Sequence, residues 1–247
     1  MRDDLLDAQA SINWAVSQIP VLQRRFMVWQ RSCPYESVVE LDPETGDKLV
    51  VVRRTRPADL SFNTEAGIII HTIKSGLDML AAALAIRNGK KPSANTHFPI
   101  FRSDQESIDP LTGIEGKKWL SKAEIATIKT LKPYDGGDEF LFPFHHFDNM
   151  RKQERLIEIV PIIQSFITSG WEGEAIGGAP EWRGLEDKTI LFRARPNVRL
   201  RVTKSNPNLS YAITLNEAAG LLGKEPLFPI LRGYAARAME IIALFDN

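Results

Sequence analysis

The stretch Leu141–Leu156 combines imidazole, amide, acidic and basic groups within about four helical turns. The stretch contains His145 and His146, and Asn149 and Lys152 follow them at steps of three and four residues. Side chains at that spacing share one face of a helix, so these polar groups are predicted to form a row beside a core-facing apolar row.

A second segment, residues 64–88, carries a similar polar row in a helix rich in alanine, leucine and isoleucine. His71, Lys74 and Asp78 recur there at i, i+3 and i+7. We predict that the two helices face each other and bring the rows together, where imidazole can act as acid or base on a phosphodiester. The candidate catalytic residues are His71, His145 and His146. The candidate binding residues are Lys74, Asp78, Asn149, Lys152 and Arg155.

The same polar residues also suit a purely structural network. A carboxylate such as Asp78 is costly to bury in an apolar helix unless a cation accompanies it. Lys74 lies one turn earlier, and Lys152 or Arg155 on the facing helix would serve as well. Because buried polar groups must find partners, the sequence leaves the catalytic and structural interpretations open.

Metal binding is not predicted for the histidine pair. Adjacent residues in a helix point about 100° apart, so His145 and His146 are badly placed to hold one ion. No His-x₃-His or Cys pair supports them. The chain also lacks a P-loop, a nucleotide-binding glycine fingerprint and a nucleophile elbow, and no cofactor is predicted.

Four arginines flank a turn signal near the end of the chain. Arg193 and Arg195 share one face of a predicted strand, and Arg199 and Arg201 share one face of the next. If Pro196-Asn197 forms a tight hairpin, the four guanidinium groups cluster and suit a phosphate or RNA backbone. The alternative is a solvent-facing sheet surface that is balanced by neighbouring acidic residues.

Composition indicates an ordinary globular protein. The 247 residues include 31 Lys+Arg and 31 Asp+Glu, so no global charge favours nucleic acid, and any such case rests on local patches. Cys33 is the only cysteine, which excludes an intramolecular disulfide. The apolar run at 66–86 is interrupted by charged residues, which favours a buried helix over a membrane span. A soluble, cytoplasmic protein without a membrane partner is expected.

Hydrophobic periodicity predicts a single α+β domain over residues 1–247, with a central antiparallel helix pair in a helical bundle and a small antiparallel β-sheet. Helices are predicted at about 4–31, 64–88, 121–132, 143–156 and 226–245. Sheet regions are predicted at about 36–54 and 157–215.

Local signals refine these boundaries. Pro20 is expected to kink or split the first helix. Asn63 is expected to cap the second helix, and Gly89 is expected to end it in a left-handed conformation. Ser121-Lys122-Ala123-Glu124 reads as a capping box, and Pro161 is expected at a sheet edge or bulge.

The order of these segments resembles a broad group of uncharacterised bacterial proteins whose motifs read HNLRSALDHL, FPIF, LQPY and NxDKHR. The matching stretches here are 71–80, 98–101, 131–134 and 149–155. The paired central helices are also similar to the HEPN superfamily of helical ribonucleases and nucleotide-binding modules. The resemblance implies a helical core and RNA, a nucleotide or a partner protein as the ligand.

Several positions depart from these patterns. Lys74 and Met79 stand where the bacterial group has arginine and histidine, and Arg151, Gln153 and Glu154 replace its aspartate, histidine and arginine. HEPN ribonucleases typically carry a histidine four to six residues after an arginine, and no histidine in this sequence follows an arginine at that spacing.

The first hypothesis is therefore a non-catalytic HEPN-like protein that binds RNA, a nucleotide, a partner protein or a second copy of itself. The second is a metal-independent ribonuclease that uses the central His/Lys/Asp cluster. The third is a structural interaction module. The sequence does not decide whether the protein is an enzyme.

Overall fold

The computed structural model describes residues 2–101, 110–166, 188–198, 209–216 and 225–246. After a 3₁₀ turn, the helices are α1 (Leu6–Arg31), α2 (Ser61–Arg87), α3 (Pro110–Glu115), α4 (Lys122–Leu131), α5 (Leu141–Gln153) and α6 (Leu227–Ala243). The strands are β1 (Tyr35–Leu41), β2 (Lys48–Arg54), β3 (Ile159–Phe166), β4 (Ile190–Ala194) and β5 (Leu209–Leu215). The predicted α+β class, a helical bundle with small antiparallel sheets, is confirmed.

The chain divides into two compact units. The first comprises Met1–Leu22, Asn63–Ile157 and Glu217–Asn247, and the second comprises Gln23–Phe62 and Glu158–Asn216. The prediction of one domain over 1–247 stays a prediction.

In the first unit, α1 and α2 pack at close range. A Cβ added at Gly76 would lie 2.7 Å from Ile12 Cγ1 and 3.0 Å from the Ala8 carbonyl oxygen. The Ser11 hydroxyl donates a hydrogen bond to the Thr72 carbonyl at 2.9 Å. Only glycine allows this approach, so position 76 fixes how near the two helix backbones lie.

A second face of α2 contacts α5. A Cβ added at Gly67 would lie 2.5 Å from Arg151 Cδ, and His71 lies beside Asp148. As residue numbers rise along α2, those of their partners on α5 fall, so the two helices run antiparallel. The predicted contact between these helices is confirmed.

Periodicity located the core of this unit correctly. The apolar residues that recur at helical spacing in these two predicted helices are buried: Ile69, Ile73, Leu77, Leu80 and Leu84 in α2, and Leu227, Ile230, Leu231, Tyr234, Ala238, Ile241 and Ile242 in α6. Tyr234 of α6 stacks on Phe144 of α5 with ring centroids 3.8 Å apart, and Gly233 leaves room for the Phe140 ring. These contacts place α5 between α2 and α6, with Asp148 and Arg151 beside α2.

The ends of the described chain are held together in this unit. Arg87, at the end of α2, binds Asp4 and donates to the Phe245 carbonyl at 2.9 Å. The backbone nitrogen of Arg2 lies 2.5 Å from Asp246 Oδ1. One arginine therefore joins segments from both ends of the described chain.

The second unit contains two antiparallel sheets. The first has the strand order β1-β2-β4, and the second pairs β3 with β5. The predicted sheet region at 36–54 is confirmed and forms the β1–β2 hairpin, with Gly46 at φ +76° in its turn and the Gly46 N–H bonded to the Asp42 carbonyl at 2.8 Å. An aromatic cluster of Phe26, Trp29 and Phe62 packs with ring centroids 5.5–6.3 Å apart.

Pro161 lies within β3, opposite Ile213 of β5. Proline has no backbone N–H to donate to a neighbouring strand. Among the described residues β3 has one partner strand, β5, so no hydrogen bond is lost on the side of β3 away from β5. The register irregularity falls between Ile163 and Ser165, so Pro161 is not at the bulge; β3 is an edge strand within the described part of the chain, where β5 is its one neighbour. The predicted strand at Val198–Lys204 lies largely outside the described residues.

Three boundary predictions were wrong or only partly right. α1 is not split at Pro20, because Pro20 and Val16, whose carbonyl loses its helical partner, both lie on the exposed side of the helix; the kink stays a prediction. α2 begins at Ser61 and not after Asn63, since Asp59 Oδ1 accepts from the Ser61 backbone N–H at 2.8 Å. α5 ends at Gln153, three residues before the predicted end.

Other helix ends agree with the predictions. Gly89 has φ +68°, and the Lys90 N–H returns to the Ala85 carbonyl at 2.8 Å in a Schellman arrangement. The predicted capping box joins Ser121 and Glu124.

Among the described helices, only α2 is long and apolar enough to cross a membrane, and 61% of its most apolar stretch is buried inside the protein.

Candidate functional site

The candidate site lies where the polar rows of α2 and α5 meet. His71 Nδ1 is 2.8 Å from Asp148 Oδ1 across the two helices. Gly67, one turn before His71, lets the Arg151 side chain lie against α2, which brings the helices close enough for this contact. The juxtaposition predicted from the spacing is therefore present, although the α5 residue that faces His71 is Asp148.

Asp148 is the centre of the arrangement. Its side chain is 1% exposed, and Lys152 Nζ forms an ion pair with its second oxygen, Oδ2, at 2.5 Å. Burial alone would raise the pKa of Asp148, but the Lys152 and His71 contacts outweigh burial and hold the pKa below its usual range. The carboxylate is thus ionised at neutral pH and serves two groups, one on each helix.

His71 is oriented by this carboxylate. An ionised carboxylate only accepts hydrogen bonds, so the imidazole places a proton on Nδ1, and in its neutral form it presents the lone pair of Nε2 on the opposite side of the ring. The His71 side chain is 38% exposed, and the Ser75 hydroxyl lies 3.5 Å from Nε2. The arrangement can accept a proton from a hydroxyl group at Nε2.

Asp78 forms a second polar centre two turns along α2. It pairs with Lys74, whose side chain is only 4% exposed, and it accepts from the Phe98 backbone N–H at 3.0 Å. Its other oxygen lies 3.4 Å from His97 Nδ1. Lys74 is therefore the cationic partner that the sequence required, whereas Lys152 pairs with Asp148.

His145 is half-buried and lies near the charges of Lys74, Asp78 and Asp148. Burial, with a smaller contribution from the nearby Lys74 charge, lowers its pKa to about 4. Its Nε2 is 3.0 Å from Asn149 Nδ2, and its Nδ1 has no partner among the described residues. At neutral pH this imidazole is uncharged and has little contact with solvent, which suits a structural role.

Two other predicted site residues lie away from the His71–Asp148 contact. His146 packs against Phe142 and Phe147, with ring centroids 6.4 and 6.0 Å apart respectively. Arg155 follows the end of α5 and is exposed.

The predicted arginine cluster is described only in part. Arg193 lies 2.9 Å from Asp42 Oδ2 and 3.4 Å from Asp47 Oδ2, in the turn of the β1–β2 hairpin. The sheet surface is thus balanced by acidic neighbours at this position. Arg195 is exposed and precedes a turn in which the Val198 N–H bonds to its carbonyl at 3.1 Å. Arg199 and Arg201 lie outside the described residues.

Three residues of the site were not among the predicted candidates: Asp148, Ser75 and His97. Asp148 and Lys152 are oppositely charged residues at i and i+4, a spacing at which helix ion pairs form. This spacing could have drawn attention to Asp148. Ser75 follows His71 at the same spacing. His97 lies in a loop, and no sequence pattern connected it with Asp78.

In the part of the chain that the structure describes, no group of three or more His, Cys, Asp or Glu residues converges to hold a metal ion. No family model, curated protein or solved structure matches the chain.

Proposed function

We propose that the protein is an HEPN-like RNA- or nucleotide-binding protein whose ligand contacts His71 and Lys152. The observation that carries the proposal is the partly exposed His71 imidazole, held at 2.8 Å by the buried carboxylate of Asp148. A side chain fixed in this way presents one defined hydrogen-bonding atom to a ligand, at little entropic cost on binding.

The chemistry of the two exposed groups favours a ribonucleotide. With its proton on Nδ1, His71 accepts at Nε2, and a ribose 2′-hydroxyl is a suitable donor. The Lys152 side chain is 41% exposed, so its ammonium has N–H groups that remain available to a phosphate oxygen. His71 can accept a hydrogen bond from a hydroxyl group, and Lys152 beside it can donate one to a phosphate oxygen. Together they match a ribose and its adjoining phosphate.

Fluorescence anisotropy with a labelled single-stranded RNA and the DNA of the same sequence tests this proposal. We expect the protein to prefer RNA, because DNA lacks the 2′-hydroxyl. His71→Ala should weaken RNA binding about tenfold, which corresponds to about 1.4 kcal/mol. Lys152→Met should weaken binding to both strands and reduce the salt dependence by about one phosphate contact.

His146→Ala is the matched control, since this imidazole packs on Phe142 and lies away from Asp148. Equal affinity for RNA and DNA, or unchanged RNA binding by His71→Ala, would contradict the proposed contacts.

RNA cleavage is the second candidate function. The observation that favours it is the Ser75 hydroxyl at 3.5 Å from His71 Nε2, because a ribose 2′-hydroxyl at a similar place would be positioned for deprotonation. Incubation of total RNA with the protein in EDTA separates the functions. Cleavage that is lost in His71→Ala supports a ribonuclease, whereas retained RNA without cleavage supports the binding function. Neither cleavage nor salt-sensitive retention would indicate a structural interaction module.

A further inference from the structure

We infer that His97 and Asp78 form a second ligand subsite, so that the ligand is an oligonucleotide and not a single nucleotide. The inference rests on the proposed function at His71, and it adds a binding residue that lies outside the α2–α5 contact.

The two subsites have the same construction. Each consists of an imidazole whose Nδ1 faces an aspartate: His71 with Asp148 at 2.8 Å and His97 with Asp78 at 3.4 Å. In both cases the aspartate also pairs with a lysine four residues away on its own helix. Each imidazole therefore directs Nε2 away from its carboxylate.

His97 is exposed but anchored. Its side chain is 62% exposed, while the next residue, Phe98, is buried in the core at 2% exposed. The Phe98 N–H bonds to the same carboxylate that faces the His97 ring. Asp78 thus anchors the loop backbone next to His97, and its second oxygen lies 3.4 Å from the exposed ring on the surface of the first unit.

The spacing of the two subsites indicates different nucleotides. Asp78 follows His71 by two helical turns on the same face of α2, about 10 Å along the helix axis. Two side chains that bind the same phosphate must each lie about 2.8 Å from one of its oxygens, which requires them to be close to each other. A second imidazole two turns farther along α2 is better placed for a neighbouring nucleotide, so a strand is expected to run along this face of the helix.

The test is a length series of unlabelled ligands measured by isothermal titration calorimetry: AMP, the trinucleotide r(AAA) and the hexanucleotide r(A)₆. We expect the trinucleotide to bind at least about tenfold more tightly than AMP, because the second contact is made within an already bound ligand. His97→Gln should remove this gain and leave the affinity for AMP within about twofold of wild type. His71→Gln should weaken binding of all three ligands.

Two controls keep the outcomes separate. His146→Gln should change neither the affinity for AMP nor the gain with length. Thermal melting of His97→Gln should match wild type, since the substituted side chain is exposed. If the wild-type protein binds AMP and r(AAA) equally, or if His97→Gln keeps the full gain, the second subsite is ruled out while the proposed function stands. If the wild-type protein binds none of the three ligands, the proposed function and the inference both fail.

Discussion

The carboxylate of Asp148 on α5 lies 2.8 Å from Nδ1 of His71 on α2. A buried aspartate therefore determines both the tautomer and the direction of a partly exposed histidine on another helix. The same carboxylate pairs with Lys152, so its removal should affect stability and ligand binding together.

Stability in acid tests the ionised state of Asp148. Its folded pKa lies below the unfolded value of about 3.9, so its contribution is present above that value and is lost as pH falls through the folded pKa. At pH 7, Asp148→Asn should reduce the free energy of unfolding by about 1–3 kcal/mol, because it weakens hydrogen bonding and pairing at a buried site. Urea denaturation from pH 7 to pH 3 measures the effect.

The difference between wild type and Asp148→Asn should shrink below about pH 4, where the Asp148 carboxyl of the unfolded chain binds a proton while the native carboxylate is still ionised. Asp7→Asn is the control, because Asp7 is exposed on α1. A pH-independent difference between wild type and Asp148→Asn would mean that charge is not the source of the stabilisation.

His145 should produce a separate pH dependence at higher pH. Its pKa is about 4 in the folded protein, against about 6.5 when unfolded, so the unfolded state binds more protons between these values. Stability is then fully present above pH 6.5 and falls as pH decreases to 4, by about 3 kcal/mol.

His145→Leu should flatten this part of the stability curve, whereas His146→Ala should leave it unchanged. NMR titration of the imidazole signals gives an independent check, with the His145 signal expected to shift near pH 4. A His145 signal that titrates near 6.5 would show that the ring is solvated.

The Lys74–Asp78 pair should be sensitive to loss of one partner. Lys74 is almost fully buried, so Asp78→Ala leaves its ammonium without a counter-ion and the Phe98 N–H without its acceptor. The expected cost is about 3–5 kcal/mol of unfolding free energy. The double substitution Lys74→Met with Asp78→Asn should cost less than Asp78→Ala, because it removes the stranded charge and keeps an acceptor. A double variant that is no more stable than Asp78→Ala would contradict this explanation.

Two glycines of α2 should respond differently to alanine. Gly76→Ala brings a Cβ to 3.0 Å from the backbone oxygen of Ala8, which cannot move without shifting α1. It should destabilise the protein by about 1–3 kcal/mol. Gly67→Ala meets the flexible Arg151 side chain, and the gain in helix propensity of about 1 kcal/mol offsets much of that clash. Chemical denaturation of both variants should rank Gly76→Ala as clearly the less stable.

The sequence predicted the helices well where apolar periodicity is long and regular, as along α2 and α6. It was weaker at helix ends. Asn63 and Asp59 are both good capping residues, and local preference does not decide which of them meets the first free N–H groups. α5 ends where its own backbone turns at Glu154, before the residues that apolar spacing included.

The site was predicted in outline. Spacing determines which residues share a face within one helix, which is how the polar rows of α2 and α5 were predicted, but the α5 row left out Asp148, the residue that faces His71. It does not determine how far each helix is rotated about its own axis against its neighbour. That rotation places Asp148 opposite His71 and leaves His145 half-buried beside its own helix neighbour Asn149. The path of the loop that brings His97 to Asp78 is likewise a product of tertiary packing, through the buried Phe98.

The Arg87 contacts have a mechanical consequence. Because Arg87 binds Asp4 and the Phe245 carbonyl, a stretching force applied at residues 2 and 246 acts first on these few polar contacts. The helices of the first unit would bear load only after this junction opens, and α1 would then be drawn away from α2 beginning at its N-terminal turn. The force at which these first contacts break should therefore be low, and it should decrease as ionic strength rises, since partly exposed ion pairs are screened by salt.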